Sequence, residues 1–430
     1  MLEMPEHQPL HLLPEHQSLL SAGRLRRAED QWRIYNAHID LGLEISREST
    51  PTAEFSDGAL VRVGGHRRGE YFVVEYAHIV QHSLADRPAL QSDRAISIGD
   101  ALRARHGLNR RLRRFFDERH FLEVETPAWV REPGTDPHIE PVRADFQQTH
   151  DTEEPQPAYL HTSPELAMKR LLAAGSGPIY QLGPVWRNGE VTPLHNPEFR
   201  LLEWYRPWQP VEAIMDDVEA LVTQVLHEHS ARPVGAPFSR MTMRQLVDQA
   251  CGFDILNALD VDSLRREIQR HDLLSDRAMR RARWDELFYS LTVSHLDPFL
   301  SSKGAVFVTD WPAPLAILAR RKRSDERVAE RFELYVDGVE LANGFGELTD
   351  PQEQRRRFEE DNTTRRRLGH RPMPIPQAFL RALRWGLPPS SGVALGVDRL
   401  LLLATPNASC LRDIAPFALT RNVDGIDWPG

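Results

Sequence analysis

The chain contains little cysteine, and it lacks both a long apolar run and a basic leader segment. Its two cysteines, Cys251 and Cys410, are far apart in the sequence, which excludes a disulfide framework and a cysteine-based zinc site. No apolar stretch approaches the length of a bilayer-spanning helix, and the N-terminal residues MLEMPEHQPL contain no basic region that leads into an apolar one. We therefore expect a cytoplasmic protein without a membrane segment.

Lysine is also scarce, because it occurs only at Lys169, Lys303 and Lys322 among 53 basic residues. The net charge of -9 disfavours a large nucleic-acid footprint, although local arginine clusters could still form one. A length of 430 residues and a hydrophobic content of 41% suit two or three domains with a complete core.

The densest group of chemically useful side chains lies in the stretch QLGPVWRNGEVTPLHNPEFRLLEWY, residues 181–205. Its two apolar runs, 179–186 and 199–205, predict two strands that can pair antiparallel. That pairing gathers the side chains of Arg187, His195, Phe199, Glu203 and Tyr205. A phosphate-gripping arginine, an aromatic face and a carboxylate indicate a site for a nucleotide and an amino acid. An amphipathic hairpin with solvated charges is the alternative interpretation.

A second hairpin is predicted in RFELYVDGVELANGFGE, residues 331–347, because Asp337-Gly338 is a strong two-residue turn signal. A regular register places Leu334 opposite Leu341. Farther along, Asn343, Phe345 and Glu347 alternate onto one face, and Gly344 and Gly346 would permit close approach of a ligand.

The same register brings Glu333 and Glu340 onto one face as diagonal neighbours, roughly 7 Å apart. Two carboxylates at this separation repel each other unless a cation lies between them. Mg²⁺ that bridges ATP phosphates is the natural candidate, since it uses one or two carboxylates together with phosphate oxygens and water. A pair of exposed glutamates is the alternative interpretation.

These two blocks and a third one, SGVALGVDRLLL at residues 391–402, resemble motif 2, the metal and amino-acid strands, and motif 3 of class II aminoacyl-tRNA synthetases of the lysyl branch. The resemblance extends from about Ile98 to the C-terminus. It implies an α+β fold in which an antiparallel sheet is flanked by helices. It also implies that ATP and Mg²⁺ are used to activate lysine or a lysine-like amino acid.

The resemblance implies roles for individual residues. Arg187 and Arg399 would stabilise the phosphates during catalysis, while Glu203 and Glu347 would bind the amino group and the side-chain ammonium. The residues implied to contact ATP are Arg187, Glu190, His195, Phe199 and Arg399. The residues implied to contact the amino acid are Ser163, Glu165, Glu203, Tyr205, Asn343, Glu347 and Ala394. The residues implied to bind the metal are Glu333 and Glu340.

The segment TSPE, residues 162–165, has a structural interpretation beside the functional one. Ser163 can cap a helix, and Pro164 can occupy its first turn. Most of that helix would then serve the core through Met168 and Leu171.

Two departures from the lysyl pattern change the expected function. Gly189 stands where lysyl enzymes carry a glutamate that reads adenine, and Glu190 follows it. Ala394 stands where they carry glycine, which is similar to the paralogous family that attaches (R)-β-lysine to a lysine of translation elongation factor P. An added methyl group in a tight pocket discriminates by about 1 to 3 kcal/mol.

Three hypotheses for function therefore stay open. The first is an ATP-dependent ligase that acts on elongation factor P, and the second is a lysyl-tRNA synthetase with a reduced N-terminal domain, which would bind tRNA. The third is a catalytically weak binding or regulatory subunit, for which Gly189 is the only support in the sequence.

Residues 1–97 differ in pattern from the catalytic region, which we expect to span residues 98–430. Short alternating apolar segments predict a small all-β barrel similar to an OB-fold. It carries few aromatic residues, so a structural barrel is favoured over an RNA binder. Its basic residues are Arg24, Arg26, Arg27, Arg67 and Arg68.

The two regions are joined by a predicted linker at residues 82–93. Residues 97–118 then predict a helix and residues 121–130 a strand that contains Pro127, and together they resemble motif 1. The resemblance implies a homodimer. Residues 147–158 predict a polar loop, and residues 261–296 are largely helical in pattern.

Overall fold

The computed structural model describes residues 19–28, 31–35, 40–45, 55–68, 71–81, 95–145, 156–229, 234–279, 282–422 and 425–427. The chain forms two compact units, Met1–Asn109 with Asn407–Gly430, and Arg110–Pro406. The expected linker and most of the polar loop at residues 147–158 lie outside the described residues. The domain division at residue 97 stays a prediction.

The first unit contains a closed barrel with the strand order β1-β2-β3-β5-β4. The β3 and β5 strands pair in parallel and the other pairs are antiparallel, which is the OB-like topology expected from the sequence. Leu25, Ile34, Val61 and Phe72 fill its interior. Its strands are β1 (Leu19–Ala28), β2 (Gln31–Tyr35), β3 (Asp40–Ile45), β4 (Leu60–Arg68) and β5 (Tyr71–Gln81).

The second unit is built on an eight-stranded sheet with the order β11-β12-β13-β14-β15-β10-β9-β6. Only its two outermost pairs, β11 with β12 and β6 with β9, are parallel. The predicted antiparallel sheet is therefore confirmed. Its strands are β6 (Leu122–Glu123), β9 (Ile179–Trp186), β10 (Glu198–Pro207), β11 (Ser239–Thr242), β12 (Ala305–Pro312), β13 (Val328–Val336), β14 (Val339–Gly346) and β15 (Ser390–Gly396).

Besides the barrel and the sheet, the described residues form helices and two short two-stranded ribbons, and the last helix and the last ribbon belong to the first unit. The ribbons are β7 (Trp129–Val130) with β8 (Tyr159–Leu160), and β16 (Thr420–Asn422) with β17 (Gly425–Asp427). The helices are α1 (Ile98–Asp117), α2 (Glu165–Ala173), α3 (Val211–His229), α4 (Met243–Cys251), α5 (Val261–Arg270), α6 (Asp276–Met279), α7 (Trp284–Leu291), α8 (Asp297–Leu300), α9 (Pro351–Arg367), α10 (Gln377–Gly386), α11 (Val397–Ala404) and α12 (Leu411–Ile414). Among the described residues, no helix is both long and apolar enough to span a bilayer.

Aromatic packing joins the end of α1 to the sheet. The ring of Phe116 stacks on Tyr180 of β9 with centroids 4.4 Å apart, and it meets Trp204 of β10 edge-on at 5.3 Å. All three side chains are fully buried. Burial of such aromatic surface fixes β9 and β10 against the helix, which in turn fixes the strands that carry the candidate site.

The predicted hairpin at Asp337-Gly338 is confirmed, because both residues have positive φ, 49° and 80°, and join β13 directly to β14. The predicted register beyond it is wrong. A β-bulge shifts the pairing after Tyr335, so that Leu334 lies opposite Ala342 and not opposite Leu341. The extra residue moves every later side chain of β14 by one position relative to β13.

One other local prediction was wrong. Residues 121–130 do not form one strand but two separate pairs of residues, β6 and β7, with Pro127 between them. Residues 261–296 are largely helical, as predicted, and the helical residues are divided among α5, α6 and α7. A π-helical turn, Thr292–Leu296, follows α7 directly.

Gly344 is needed for packing within the sheet, whereas the sequence suggested that it admits a ligand. A Cβ atom at this position would lie 2.4 Å from the ring of Phe332 and 3.0 Å from the carbonyl oxygen of Gly392. The missing side chain therefore allows three neighbouring strands to close over a buried phenylalanine.

We predict that Gly344→Ala lowers the free energy of unfolding by about 1 to 3 kcal/mol, because the new methyl group overpacks a rigid part of the sheet. Denaturant unfolding measures this change. Gly235→Ala is the matched control, since a Cβ there meets no atom within 4 Å of it in the described structure. Equal stability of the two variants would contradict the prediction.

Candidate active site

One row of side chains crosses the sheet and collects residues from five strands. Glu203 of β10 lies opposite Gln181 of β9 and opposite Ala394 of β15. Ala394 in turn lies opposite Asn343 of β14, which lies opposite Glu333 of β13. Residues that are directly opposite on neighbouring strands point to the same face of a sheet. This set, the site row, therefore places four of the predicted site residues side by side.

Glu203 lies in the part of the site predicted to bind the amino acid, the amino-acid end, which comprises Glu165, Lys169, Glu203, Tyr205 and Glu347. Its carboxylate is buried and accepts hydrogen bonds from two hydroxyl groups. Ser163 Oγ donates to Glu203 Oε1 at 2.6 Å, and the Tyr205 hydroxyl donates to Oε2 at 3.2 Å. Burial, followed by the nearby charge of Glu165, raises the pKa of Glu203 to about 8. A cationic group beside Glu203 would lower this pKa and favour the ionised carboxylate.

The role expected for Ser163 as a cap is only partly realised. Its Oγ accepts a hydrogen bond from the backbone N–H of Glu165 at 3.0 Å while it donates to Glu203. Pro164 occupies the position before the first turn of α2 and not the turn itself. Ser163 therefore links the start of the helix to the site row.

Lys169, which sequence analysis did not single out, is the centre of the amino-acid end. Its side chain is fully buried and its ammonium forms ion pairs with both Glu165 and Glu347. Burial opposes the charge on Lys169, but the two carboxylates outweigh it and raise the pKa of the ammonium well above its usual range. The available signal was the spacing of four residues between Glu165 and Lys169 on a helix.

Glu347, expected to hold the side-chain ammonium of the substrate, is thus already paired on one oxygen. Its Oε1 is buried and accepts no hydrogen bond from the part of the chain that the structure describes. Burial raises the pKa of Glu347 to about 7, and Lys169 opposes that rise. One buried carboxylate oxygen is left for a donor from a ligand.

Gly392, on β15, makes room for this arrangement. A Cβ atom there would lie 2.3 Å from the ring of Tyr205 and 2.7 Å from Glu347 Oε1. The glycine is therefore required by two side chains of the amino-acid end.

Arg187, which directly follows β9, and Phe199 of β10 form the predicted nucleotide end of the site. The guanidinium carbon of Arg187 lies 5.1 Å from the centre of the Phe199 ring. Arg187 Nε is buried and has no hydrogen-bond partner among the described residues. A buried guanidinium donor without an acceptor suits an anionic ligand such as a phosphate.

Arg399, at the start of α11, lies beside His195 and Glu340. It donates to the backbone carbonyl of Glu340 at 2.7 Å and to His195 Nε2 at 2.6 Å. Because arginine only donates, His195 Nε2 must be unprotonated, and Nδ1 carries the proton toward Thr192 Oγ1 at 2.8 Å. Burial and the charge of Arg399 lower the pKa of His195, which agrees with a neutral ring.

Glu190 lies within the electrostatic range of both arginines. Burial raises the pKa of Glu190, while Arg187 and Arg399 oppose that rise. The structure therefore brings the five residues expected to contact ATP into one neighbourhood. Their individual roles stay predictions.

Glu333 and Glu340, the predicted metal ligands, influence each other despite the bulge between them. Burial, followed by the charge of Glu340, raises the pKa of Glu333 to about 7. Glu333 also accepts from Arg331 at 2.5 Å and from the Tyr335 hydroxyl at 2.5 Å. Two mutually repelling carboxylates fit a shared hard cation that also binds phosphate oxygens. The described residues contain no cluster of three or more acidic, His or Cys side chains suited to enclose a metal.

Arg331 connects the metal end to the amino-acid end, and sequence analysis did not identify it. Its guanidinium lies over the Trp311 ring at 4.0 Å and donates to Glu333 Oε1 and, at 3.3 Å, to Asn343 Oδ1. The side chain is 7% exposed. It fixes the orientation of two site residues with one rigid, planar group.

A second buried arginine, Arg365 of α9, anchors the loop beside the nucleotide end. It donates to the carbonyl oxygens of Asp136, at 2.7 Å, and Ile139, at 3.0 Å, and to the carboxylate of Glu140. The carbonyl of Glu140 accepts from the backbone N–H of Asn188 at 2.7 Å. This chain of contacts supports the residue that directly follows Arg187.

We predict that Glu203→Gln removes a pH-dependent loss of stability. The pKa of Glu203 is about 8 in the folded protein against an ordinary value of 4.5, so folding favours the protonated form. The wild-type protein should lose stability relative to Glu203→Gln as the pH rises from about 5 to about 8. Unfolding in denaturant across this range measures the difference. Glu118→Gln, which changes a side chain that is 62% exposed, should follow the wild type; parallel curves for Glu203→Gln and wild type would refute the assignment.

Comparison with known proteins agrees with this geometry. Residues 82–421 match the family described as tRNA synthetases class II (D, K and N). The match thus begins directly after the last strand of the barrel, which ends at Gln81.

Curated relatives cover most of the chain. A protein of Hamiltonella defensa subsp. Acyrthosiphon pisum is 42% identical over 312 residues, which are 73% of this chain and 93% of the relative. Proteins of Edwardsiella ictaluri and Erwinia tasmaniensis are each 44% identical over 72% of this chain and 92% of their own length. All three are named elongation factor P--(R)-beta-lysine ligase. The chain is a ligase enzyme and belongs to the class II tRNA synthetase family.

Proposed function

We propose that this chain activates lysine or (R)-β-lysine with ATP as an aminoacyl-adenylate and transfers the aminoacyl group to a lysine side chain of translation elongation factor P. The observation that carries the proposal is the amino-acid end, where three carboxylates lie around one fully buried lysine.

The charges in that pocket match a diamino acid. Glu165, Glu203 and Glu347 carry three negative charges when ionised, and Lys169 compensates one of them. Two negative charges stay uncompensated, and a substrate with two ammonium groups would supply both partners. This balance supports lysine or β-lysine over a substrate with one ammonium group.

Activation needs positioning and charge stabilisation more than acid-base chemistry. The substrate carboxylate attacks the α-phosphorus of ATP, the bond to the bridging oxygen breaks, and pyrophosphate leaves. In this proposal Arg187 stabilises the α-phosphate, Arg399 binds the leaving phosphates, and Phe199 stacks on adenine. Neutral His195 holds Arg399 in place through its Nε2 atom.

Glu333 and Glu340 would hold Mg²⁺, and Arg331 would orient Glu333 from behind. The ion supplies positive charge to the phosphates when bound.

Transfer completes the proposed reaction. A deprotonated lysine amine of the acceptor attacks the carbonyl carbon of the adenylate, the bond to the phosphate oxygen breaks, and AMP leaves as the amide forms. The names of the curated relatives support elongation factor P as the acceptor and (R)-β-lysine as the amino acid. The pairing of Ala394 with both Glu203 and Asn343 supports a role for its methyl group in selecting the position of the substrate amino group.

The alternative acceptor is tRNA. The observation in its favour is the OB-like barrel that precedes the matched family region, since this topology can bind single-stranded nucleic acid. A lysyl-tRNA synthetase would bind its tRNA with strong salt dependence. We also retain the homodimer and the cytoplasmic location, both expected from the sequence, as parts of the proposal.

The first experiment separates activation from transfer. We expect ATP–pyrophosphate exchange that depends on Mg²⁺ and on lysine or (R)-β-lysine, followed by labelling of elongation factor P but not of tRNA. Arg187→Ala should lower exchange by at least about 100-fold, because it removes a phosphate donor. Label on tRNA alone would establish the synthetase, and absence of exchange would favour the noncatalytic subunit.

A second experiment tests the amino-acid pocket. Ala394→Gly should improve the use of α-lysine relative to (R)-β-lysine by about 10- to 200-fold in kcat/KM, since it removes one methyl group between Glu203 and Asn343. Exchange assays with each amino acid measure the ratio. An unchanged ratio would show that Ala394 does not set the preference.

A further inference from the structure

The beginning of α2 contacts both carboxylates that the sequence assigns to the ammonium groups of the substrate. Just before the helix, Ser163 Oγ donates to Glu203 at 2.6 Å and accepts from the backbone N–H of Glu165 at 3.0 Å. One turn farther along, the ammonium of Lys169 pairs with both Glu165 and Glu347. Glu203 lies on β10, and Glu347 directly follows β14. One short segment therefore holds side chains from two separate strands.

Both partners of the pair between Lys169 and Glu347 are attached to well-packed backbone. Met168, next to Lys169, is fully buried in a core cluster with Phe379 of α10. The ammonium nitrogen of Lys169 lies 5.9 Å from the centre of the Phe379 ring. The backbone N–H of Glu347 donates to the carbonyl oxygen of Ser390 at 2.9 Å. The two side chains therefore meet in a fixed geometry.

The ion pair leaves one oxygen of Glu347 for a ligand. Lys169 pairs with Oε2, whereas Oε1 is buried and accepts no hydrogen bond from any residue that the structure describes. A Cβ atom at Gly392 would lie 2.7 Å from Oε1, so the glycine leaves space beside that oxygen. Glu165 and Glu347 contact the same nitrogen atom. Without it they would face each other as buried like charges, and one of them would turn away or take a proton.

We propose that Lys169 is a positioning residue for the amino acid, whose ammonium keeps Glu347 ionised and oriented so that Oε1 accepts the side-chain ammonium of the substrate. The inference rests on the proposed function, in which Glu347 binds that ammonium. Lys169 touches no substrate atom and acts only through Glu347. Because it compensates one carboxylate and leaves two to the ligand, it also selects for diamino acids.

This role predicts how amino-acid binding depends on pH. The charged and titratable groups around Glu347 are Lys169 and Glu165 of α2, Tyr205 of β10, and Arg320. Burial raises the pKa of Glu347 to about 7, while Lys169 opposes the rise and Glu165 adds to it. Loss of Lys169 therefore raises the pH at which Glu347 becomes ionised, and loss of Glu165 lowers that pH. The two side chains act on Glu203 in the same directions.

The test compares Lys169→Met and Glu165→Gln with the full-length wild type in ATP–pyrophosphate exchange at several pH values. Near neutral pH, Lys169→Met should raise the KM for lysine or (R)-β-lysine about 10- to 100-fold, because the charged hydrogen bond from the substrate to Glu347 is weakened. The KM for ATP should stay within about twofold, since the contacts of Lys169 lie outside the nucleotide end. The pH profile of the amino-acid KM should move up by about one pH unit in Lys169→Met and down in Glu165→Gln.

Lys303→Met is the matched control, because it makes the same change at an exposed lysine, and it should leave both KM values and the pH profile unchanged. A purely structural role of Lys169 would reduce the folded fraction and kcat without moving the profile, and that result would overturn the proposal. If Lys169→Met does not fold, Glu165→Gln decides, and an unshifted profile in this variant would equally overturn it. Absence of lysine-dependent exchange in the wild type would instead overturn the proposed function.

Discussion

Excess negative charge buried at one end of a sheet is the constraint on which the site depends. Carboxylates out of water are costly unless they are paired, and Lys169 pairs with only two of the three that share this pocket. The raised pKa values of Glu203 and Glu347 partly relieve this cost, because a protonated carboxyl group carries no charge that needs a cationic partner. In the proposed function, a diammonium ligand would replace such protons by ion pairs. Affinity for that ligand and instability of the unliganded site would then have the same origin.

The sheet explains how residues far apart in sequence share this constraint. Pairing of β10, β15, β14 and β13 places Glu203, Ala394, Asn343 and Glu333 in one row, and a slip of one residue in any pair would turn that strand's residue to the other face. The bulge after Tyr335 is therefore informative. It keeps Asn343 opposite Glu333 although the turn is only two residues long. Arg331 then holds both side chains of that pair with hydrogen bonds.

Short-range sequence patterns predicted the strands and the turn correctly. Features that depend on contacts between strands were not predicted. The strands β9 and β10 and the turn at Asp337-Gly338 follow from short-range patterns, and the structure has them. The bulge between β13 and β14 has no signal in the local pattern, which shows only the turn and the alternation of apolar residues. Gly344 was assigned to a ligand because sequence shows only the absence of a side chain, whereas the atom that needs the space belongs to Phe332. A buried arginine such as Arg331 cannot be distinguished from a surface arginine in the sequence, because its burial depends on residues from other strands.

The buried cation at position 169 is a lysine and not an arginine, and its surroundings explain why. Among 53 basic residues only three are lysine, so composition alone would favour arginine at position 169. An ammonium is a compact charge with three donors that rotate freely, whereas a guanidinium is a wide planar fork. A fully buried position between two carboxylates, against the Phe379 ring at 5.9 Å, has room for the former. An arginine there would overpack the pocket and displace Glu347 from the Gly392 gap.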